Sequence, residues 1–273
     1  MSASFVSRRL WHDLSVRHKL MVLSLLPLVV VLPLLLAALV IWGNSAYDRL
    51  LITKVRSDLA VAHGYFGRVQ NEVGTGTEAI AGSHALILAL ANKNNPALKT
   101  QLTQAQQRLG FDFINLYNPQ GQLITASWEA GGGASVAPVK LPDSNGTDST
   151  FAHIQRLSQR DLLAMAPHLS QRLGIPIIPT AGAVPGIRTQ EDRALVMLSC
   201  APVRDAAGHT VAWLRGGVLL NQNLPLIDHI NTIVYPDGSL PLGSVGTATL
   251  FLDDVRITTN VRLFQDKRAI GTR

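Results

Sequence analysis

Hydrophobic positions along the chain change their period several times, and each change marks an element. Residues 20–42, LMVLSLLPLVVVLPLLLAALVIW, carry no charge, and the next charged residue is Asp48. A helix rises about 1.5 Å per residue, so this run can cross a hydrocarbon core of roughly 30 Å. Pro27 and Pro33 are tolerated there, because neighbouring groups in a membrane re-satisfy the freed carbonyls. Trp42 at one end suits the membrane interface. A cleaved signal peptide has a shorter apolar region and a small-residue A-x-A-like site. The sequence LAALVIWGNSAYD does not read that way, which favours an uncleaved anchor.

The period then becomes helical. Tyr47, Leu51, Val55, Leu59, Ala62, Phe66, Val69 and Val73 recur at intervals of three or four, with Arg49, Arg56, Asp58 and Arg68 elsewhere on the surface. This predicts that the membrane helix continues outward as a stalk of about 45 Å. The stripe packs against its own domain, or forms a dimer seam that transmits motion, or does each along part of its length. The glycines at 74–82 predict a bend. Residues 83–91 predict a short helix stopped at 92–96, and 98–109 another, closed by Gly110.

Beyond Gly110 the pattern changes again, to that of strands. FDFINLY (111–117), a turn NPQG (118–121) and QLITAS (122–127) form a first hairpin. Residues 130–150 are rich in Gly, Ala, Ser, Asn and Asp and read as a mobile loop, in which Asn145 opens a glycosylation sequon. Ser158 with Asp161 signals a helix over 159–173 that ends at Gly174. Residues 175–186 hold three prolines and predict an extended connection. Two strands, 194–203 and 210–220, join through the turn at 204–209. Gly216 and Gly217 within the second suggest a bulge or the close approach of another backbone. Asn223 caps a helix over 224–235. Strands 247–252 and 255–261 join at Asp253 and Asp254 as a third hairpin. Helices alternate with hairpins, so the sheet should be mainly antiparallel and the fold α+β. After this hairpin comes LFQDKRAIGTR with no completing strand. Leu250, Leu252 and Ile257 would be poorly covered, which predicts an N-terminal piece of a longer protein.

Composition narrows the function classes. The chain has 273 residues and a net charge of +6. Its basic residues are scattered and no stacking aromatics accompany them, which argues against nucleic acid as a partner. Arg8, Arg9, Arg17 and Lys19 precede the apolar run, while Arg49, Lys54 and Arg56 follow it. The positive-inside bias tips the N-terminus into the cytoplasm and places Asn44 onward outside. The single cysteine, Cys200, allows no intrachain disulfide and reads as a small core residue. No phosphate-cradling glycine loop is present; the cluster at 131–133 lacks the following lysine. The eight histidines show no metal-ligand spacing, so no metal site is expected. His84 and His229 are poor phosphoacceptors, since both fall outside the cytoplasm without an ATP site. Asp253 and Asp254 are better read as a turn than as a catalytic pair. No catalytic segment is recognised.

For ligand binding the candidates are arginines beside apolar strands. Arg188 and Arg193 flank the start of the strand at 194, where a guanidinium could hold a carboxylate bidentately at the mouth of an apolar pocket. The competing reading is a salt bridge with Glu191 or Asp192. Arg256, Thr258 and Asn260 alternate and share a face, so they line a second pocket or face solvent.

Several stretches together resemble a known family. They are KVRSDLAVAHGYF (54–66), LGFDFINLYNPQGQLI (109–124), EDRALVMLSCAPVRDAAGHTVAWLRGGVLLNQN (191–223) and GTATLFLDDVRITTNVRL (246–263) with the closing RAIGTR. Their order is similar to the extracytoplasmic Cache sensor region of bacterial sensor histidine kinases. The resemblance implies a basic cytoplasmic tail (1–19), a transmembrane helix (20–42), a stalk and helical segment (43–110), a membrane-distal PAS-like Cache domain (111–235), and the truncated start of a second (236–273), in a double Cache arrangement. It implies a sensor in the bacterial cytoplasmic membrane that binds a small extracytoplasmic ligand, an anion where Arg188, Arg193, Arg256 and Asn260 take part. It further implies a homodimer and a response regulator as partner through an output domain. This segment needs no cofactor; ATP and Mg belong to the ATP-dependent histidine kinase domain of the resembled proteins. The alternatives are the Cache sensor of a chemoreceptor or nucleotide cyclase, and an anchored solute-binding protein without output.

Overall fold

The computed structural model describes residues 15–128, 138–139, 150–180, 183, 186–240, 244–263 and 267–273. Most of the loop expected over 130–150, with the glycines at 131–133 and the Asn145 sequon, lies outside the described residues, as does the basic tail up to residue 14. The chain divides into two compact units, Met1–Ala60 and Val61–Arg273.

Helix α1 (Val16–Ala81) is 66 residues long, and it is long and apolar enough to cross a membrane. Within the first unit the consecutive side chains Val29, Val30, Val31 and Leu32 are exposed, so the helix is bare on all sides, as expected of one whose solvent is lipid. Further along, Lys54 pairs with Asp58 one turn on, at 2.7 Å. Tyr47, Val55 and Leu59 of the predicted stripe remain exposed.

In the second unit the same stripe turns inward. Phe66 and Val69 are half-buried, and Val73 and Ile80 join a core. The bend expected over 74–82 is absent, since α1 continues to Ala81. The glycines serve close approach instead. A Cβ at Gly74 would lie 3.1 Å from the Cβ of Ala152, and one at Gly76 3.0 Å from Leu109. Helix α2 (His84–Ala91) is capped by Ser83, whose hydroxyl accepts from the Leu86 amide. Helix α3 (Asn95–Leu109) begins earlier than the expected stop at 92–96 allows. Pro96 falls in its first turn, where a missing N–H is harmless, and Gly110 closes it with φ of 66°.

Strands β1 (Phe113–Tyr117) and β2 (Leu123–Ala126) form the first hairpin. Then follow β3 (Phe151–Leu157), which the hydrophobic pattern does not announce, and α4 (Gln159–Met165). The helix expected over 159–173 is cut by Pro167, before which Ala166 leaves the helical region at φ −150° and ψ 70°; residues Pro167–Arg172 form a separate 3-10 turn. Short strands β4 (Ile175–Pro176) and β5 (Gln190–Glu191) pair with each other. The long strands β6 (Ala194–Arg204) and β7 (Thr210–Leu219) follow, then α5 (Leu224–Val234) under its Asn223 cap, and the hairpin β8 (Thr249–Leu252) and β9 (Val255–Thr259).

The main sheet has five strands in the order β2-β1-β7-β6-β3, antiparallel throughout, an α+β, PAS-like arrangement. The bulge lies at Val203 and Arg204, while Gly216 and Gly217 mark close approach: their Cβ atoms would meet Phe111 at 2.8 Å and Phe113 at 2.6 Å. One face packs on α1, α2 and α3 through Ile114, Leu116, Met197 and Leu214. The other packs on α4 and the 3-10 turn through Phe113, Leu162, Met165 and Leu198. The third hairpin is covered, contrary to expectation. Leu252 and Ile257 are buried and Leu250 is half-buried, against Ile175, Leu195 and Ile270.

Candidate functional site

A strand buried on both faces should read as continuous apolar sequence, because a polar side chain there loses its water. The central strands β1, β7 and β6 break this rule in one row. Asn115 on β1 is paired with Arg215 on β7, which is paired with Cys200 on β6, and Cys200 with Phe151 on β3. Directly paired residues point to the same face. Here it is the α4 face, since Asn115 donates to the carbonyl of Met165 at 2.7 Å.

Asn115 is fully used. It also donates to the Tyr117 hydroxyl at 2.9 Å, and its Oδ1 accepts from Nε1 of Trp128 at 3.0 Å. One amide thus fixes an aromatic wall and the end of α4. Arg215 is different. It is only 8% exposed, its Nε has no hydrogen-bond partner, and it enters no ion pair among the described residues. The residues paired with it, Asn115 and Cys200, are uncharged. Burial pushes the Tyr117 phenol up, while its bond to Asn115 and the Arg215 charge pull the other way. Burial pushes the Cys200 thiol up to about 11, again against Arg215, so it is a neutral thiol rather than a nucleophile.

The residues expected from sequence lie elsewhere. Arg188 and Arg193 come together, on a carboxylate. The Glu191 side chain is 1% exposed and accepts from Nη1 of Arg188 at 2.7 Å. It also accepts from Nε and Nη2 of Arg193 at 2.7 and 2.6 Å. Arg193 reaches Asp253 in the third hairpin turn at 2.8 Å, and Arg156 on β3 reaches the same aspartate at 3.3 Å. Asp254 pairs with Arg273 and, at 3.5 Å, with Arg188. The salt-bridge alternative therefore describes Arg188 and Arg193, with Glu191 as the partner. Their guanidinium groups bolt the third hairpin to the main sheet.

Asn260 closes the open end of that hairpin: it accepts from the Ala248 amide at 2.7 Å and donates to the Gly246 carbonyl at 3.0 Å. Arg256 lies over the Phe251 ring at 5.6 Å, and its Nε and the Thr258 hydroxyl are buried without partners. The four expected residues thus form no single site. The buried polar row of Arg215 and Asn115, with Tyr117 and Trp128, was not singled out from the sequence, although one signal was present. WLRGGV puts a charge inside an apolar strand, immediately before the glycines already marked for close approach.

A cleft of about 740 Å³ opens on the opposite, helical face, between α1, α3 and α5, lined by Val69, Gly76, Arg108, Phe111, Val218 and Leu226. No buried charged group converges there. Among the described residues no cluster of His, Cys, Asp and Glu could hold a metal ion.

No curated protein matches the chain. Among solved structures, it is similar to the periplasmic domain of LuxQ from Vibrio cholerae, at 10% identity and a TM-score of 0.47, over 79% of this chain and 82% of that one. It is also similar to the sensory domain of the Campylobacter jejuni chemoreceptor Tlp3, solved with isoleucine bound, at 9% identity and a TM-score of 0.36, over 80% and 73%. Residues 218–273 match the family model described as single cache domain 3, a stretch that opens in β7 just after Arg215 and runs to Arg273. Over that stretch the resemblance to Cache sensors read from the sequence is borne out.

Proposed function

We propose that this chain is the membrane-anchored, extracytoplasmic sensor segment of a signalling protein, and that a small molecule binds the sheet face around Arg215. The observation that carries the reading is a buried arginine whose Nε has no partner among the described residues, beside a prearranged wall of Tyr117 and Trp128. Binding sites are mostly apolar and pre-formed, with few polar groups converging on the ligand. The apolar run of α1 supplies the anchor. The row behind Arg215 supports a route outward. Thr77 of α1 and Ser199 of β6 share a hydrogen bond of 2.5 Å, and Ser199 also reaches the carbonyl of Gly216 at 3.2 Å. A ligand that favours one arrangement of β7 would bias α1 through these hydroxyls. By the sequence resemblance the output is a two-component histidine kinase acting through a response regulator, in the bacterial cytoplasmic membrane. A coding frame that continues into a histidine-bearing helical hairpin and an ATP-binding domain separates this reading from a chemoreceptor, which continues in long heptads.

Orientation is the part most directly tested. His209 is exposed and Cys200 is buried, so His209→Cys introduces the reactive thiol of the chain. In intact cells it reacts with a membrane-impermeant maleimide. Reaction only after permeabilisation reverses the orientation and excludes an extracytoplasmic sensor.

A further inference from the structure

We infer that the cleft between α1, α3 and α5 is a separate small-molecule site, and that it takes an amphipathic carboxylate whose apolar body lies in the cleft and whose acid head meets Arg108. This site goes beyond the sensor reading, since it lies on the helical face of the sheet and not on the face of Arg215. Val69, Val73 and Gly76 recur at helical spacing and form the wall that α1 contributes; Phe111, Val218 and Leu226 line the rest. Val73 and Phe111 are 3% and 6% exposed, so the apolar floor lies deep and is not a flat patch. The volume, about 740 Å³, falls within the roughly 300–1,000 Å³ of small-molecule clefts. Glycine keeps the space open, because a Cβ at Gly76 would already stand 3.0 Å from Leu109 and a longer side chain would fill the cleft.

The rim decides the chemistry of the occupant. Glu72 is answered on its own helix by Arg68, at 3.5 Å. Asn223 is spent on its own chain: its Oδ1 accepts from the Leu226 amide at 3.2 Å and its Nδ2 donates to the Leu219 carbonyl at 3.3 Å. Arg108 is exposed and has no ion-pair partner among the described residues. The charge left over at the mouth of an apolar cleft is therefore a guanidinium, which is suited to a carboxylate.

The test uses the full chain in lipid nanodiscs, with empty nanodiscs as the blank for partitioning. Calorimetry follows octanoate, phenylacetate and indole-3-acetate, each beside its neutral amide, and acetate, which lacks the apolar body. At least one of the three acids binds and acetate does not. The matching amide binds about 5-fold more weakly, the size of an exposed charge contact. Arg108→Gln weakens the acid by the same factor of about 5 and leaves the amide unchanged. Gly76→Leu removes binding of both. It replaces a glycine within a helix, which favours the folded chain, and its melting temperature checks this; where it melts early, Arg108→Gln decides alone. Arg215→Met leaves binding unchanged, which separates this cleft from the other face of the sheet. An amide that binds as well as its acid overturns the carboxylate. Acid binding that survives Gly76→Leu, or that is lost in Arg215→Met, overturns the site, as does the absence of any binding. Chains that associate without acid and separate in Gly76→Leu make the cleft an interface between copies, and overturn it too.

Discussion

A single buried residue can carry either architecture or recognition, and the two arginine environments of this chain show how to tell them apart. Arg193 contacts two carboxylates through its guanidinium, and its own backbone amide donates to Glu191. Among the described residues Arg215 contacts no carboxylate. A sequence gives both as an arginine next to apolar residues. It does not give register, and register decides that Arg215 faces Asn115 and Cys200. Asn115 was illegible for the same reason, being one polar letter in FDFINLY. Its role has a measurable size. Asn115→Ala leaves the Nε1 of Trp128 and the carbonyl of Met165 without their partner, two buried groups at about 1–3 kcal/mol each before relaxation. The expected loss is about 3 kcal/mol of unfolding free energy, with the Trp128 fluorescence of the native state shifted to the red. A loss below about 0.5 kcal/mol, the range of an ordinary surface change, would show that the amide does not hold the wall.

Elements were legible where the local code is strong. Ser158 and Asn223, read as caps, do cap the helices that follow them, whereas Asn94, read as part of a stop, caps α3. Hairpins around Asn118, Asp205 and Asp253 form where turn residues interrupt apolar runs. The misses have physical causes. FAHIQRL forms the edge strand β3 with His153 and Gln155 on the face shared with Phe151, so no clean alternation announces it. The glycines at 74 and 76 looked like a hinge, but their freedom is used to let Ala152 and Leu109 approach α1.

The ion-pair network joins β5, the start of β6 and the third hairpin, and it should titrate as a unit. Burial acts to raise the Glu191 carboxyl, yet the hydrogen bonds and charges of Arg193 and Arg188 hold it below its ordinary 4.5. The bond from Arg193 holds Asp253 below 3.8, and the bond from Arg273 does the same for Asp254. A carboxyl whose folded value is depressed adds stability above its unfolded value and loses it as pH falls through the folded one. Thermal stability should therefore hold from neutral pH to about 4.5 and fall below that. Glu191→Gln should flatten this fall. At neutral pH it should also lower stability by about 2 kcal/mol, less than a fully buried pair, because Arg188 is half exposed. An unchanged acid limb in Glu191→Gln would assign the transition to other groups.

For the molecule as a whole, the stripe on α1 separates into two uses. Phe66, Val69 and Val73 face the core of the chain's own domain, so packing accounts for them. Tyr47, Val55 and Leu59 follow the same spacing and remain exposed. Beyond the end of an apolar membrane run, a regular row of exposed Tyr, Val and Leu is the surface along which a second copy can pair, since two such rows remove each other from water. Ser57 lies about 200° around the helix from Val55 and Leu59, by 100° per residue, and gives the control. With Cys200 buried, the introduced cysteines report alone. In native membranes under mild oxidation, Val55→Cys and Leu59→Cys should form disulfide-linked dimers within minutes, and Ser57→Cys should not. Equal yields at all three positions would mean random collision rather than a seam. If the seam holds, a small molecule that binds the sheet face around Arg215 should change the ratio of the Val55→Cys and Leu59→Cys products, because a ligand with differential affinity for two arrangements of the helix pair must shift their populations. The shift should vanish in Arg215→Met, which ties the response of α1 to one guanidinium on the far face of the sheet.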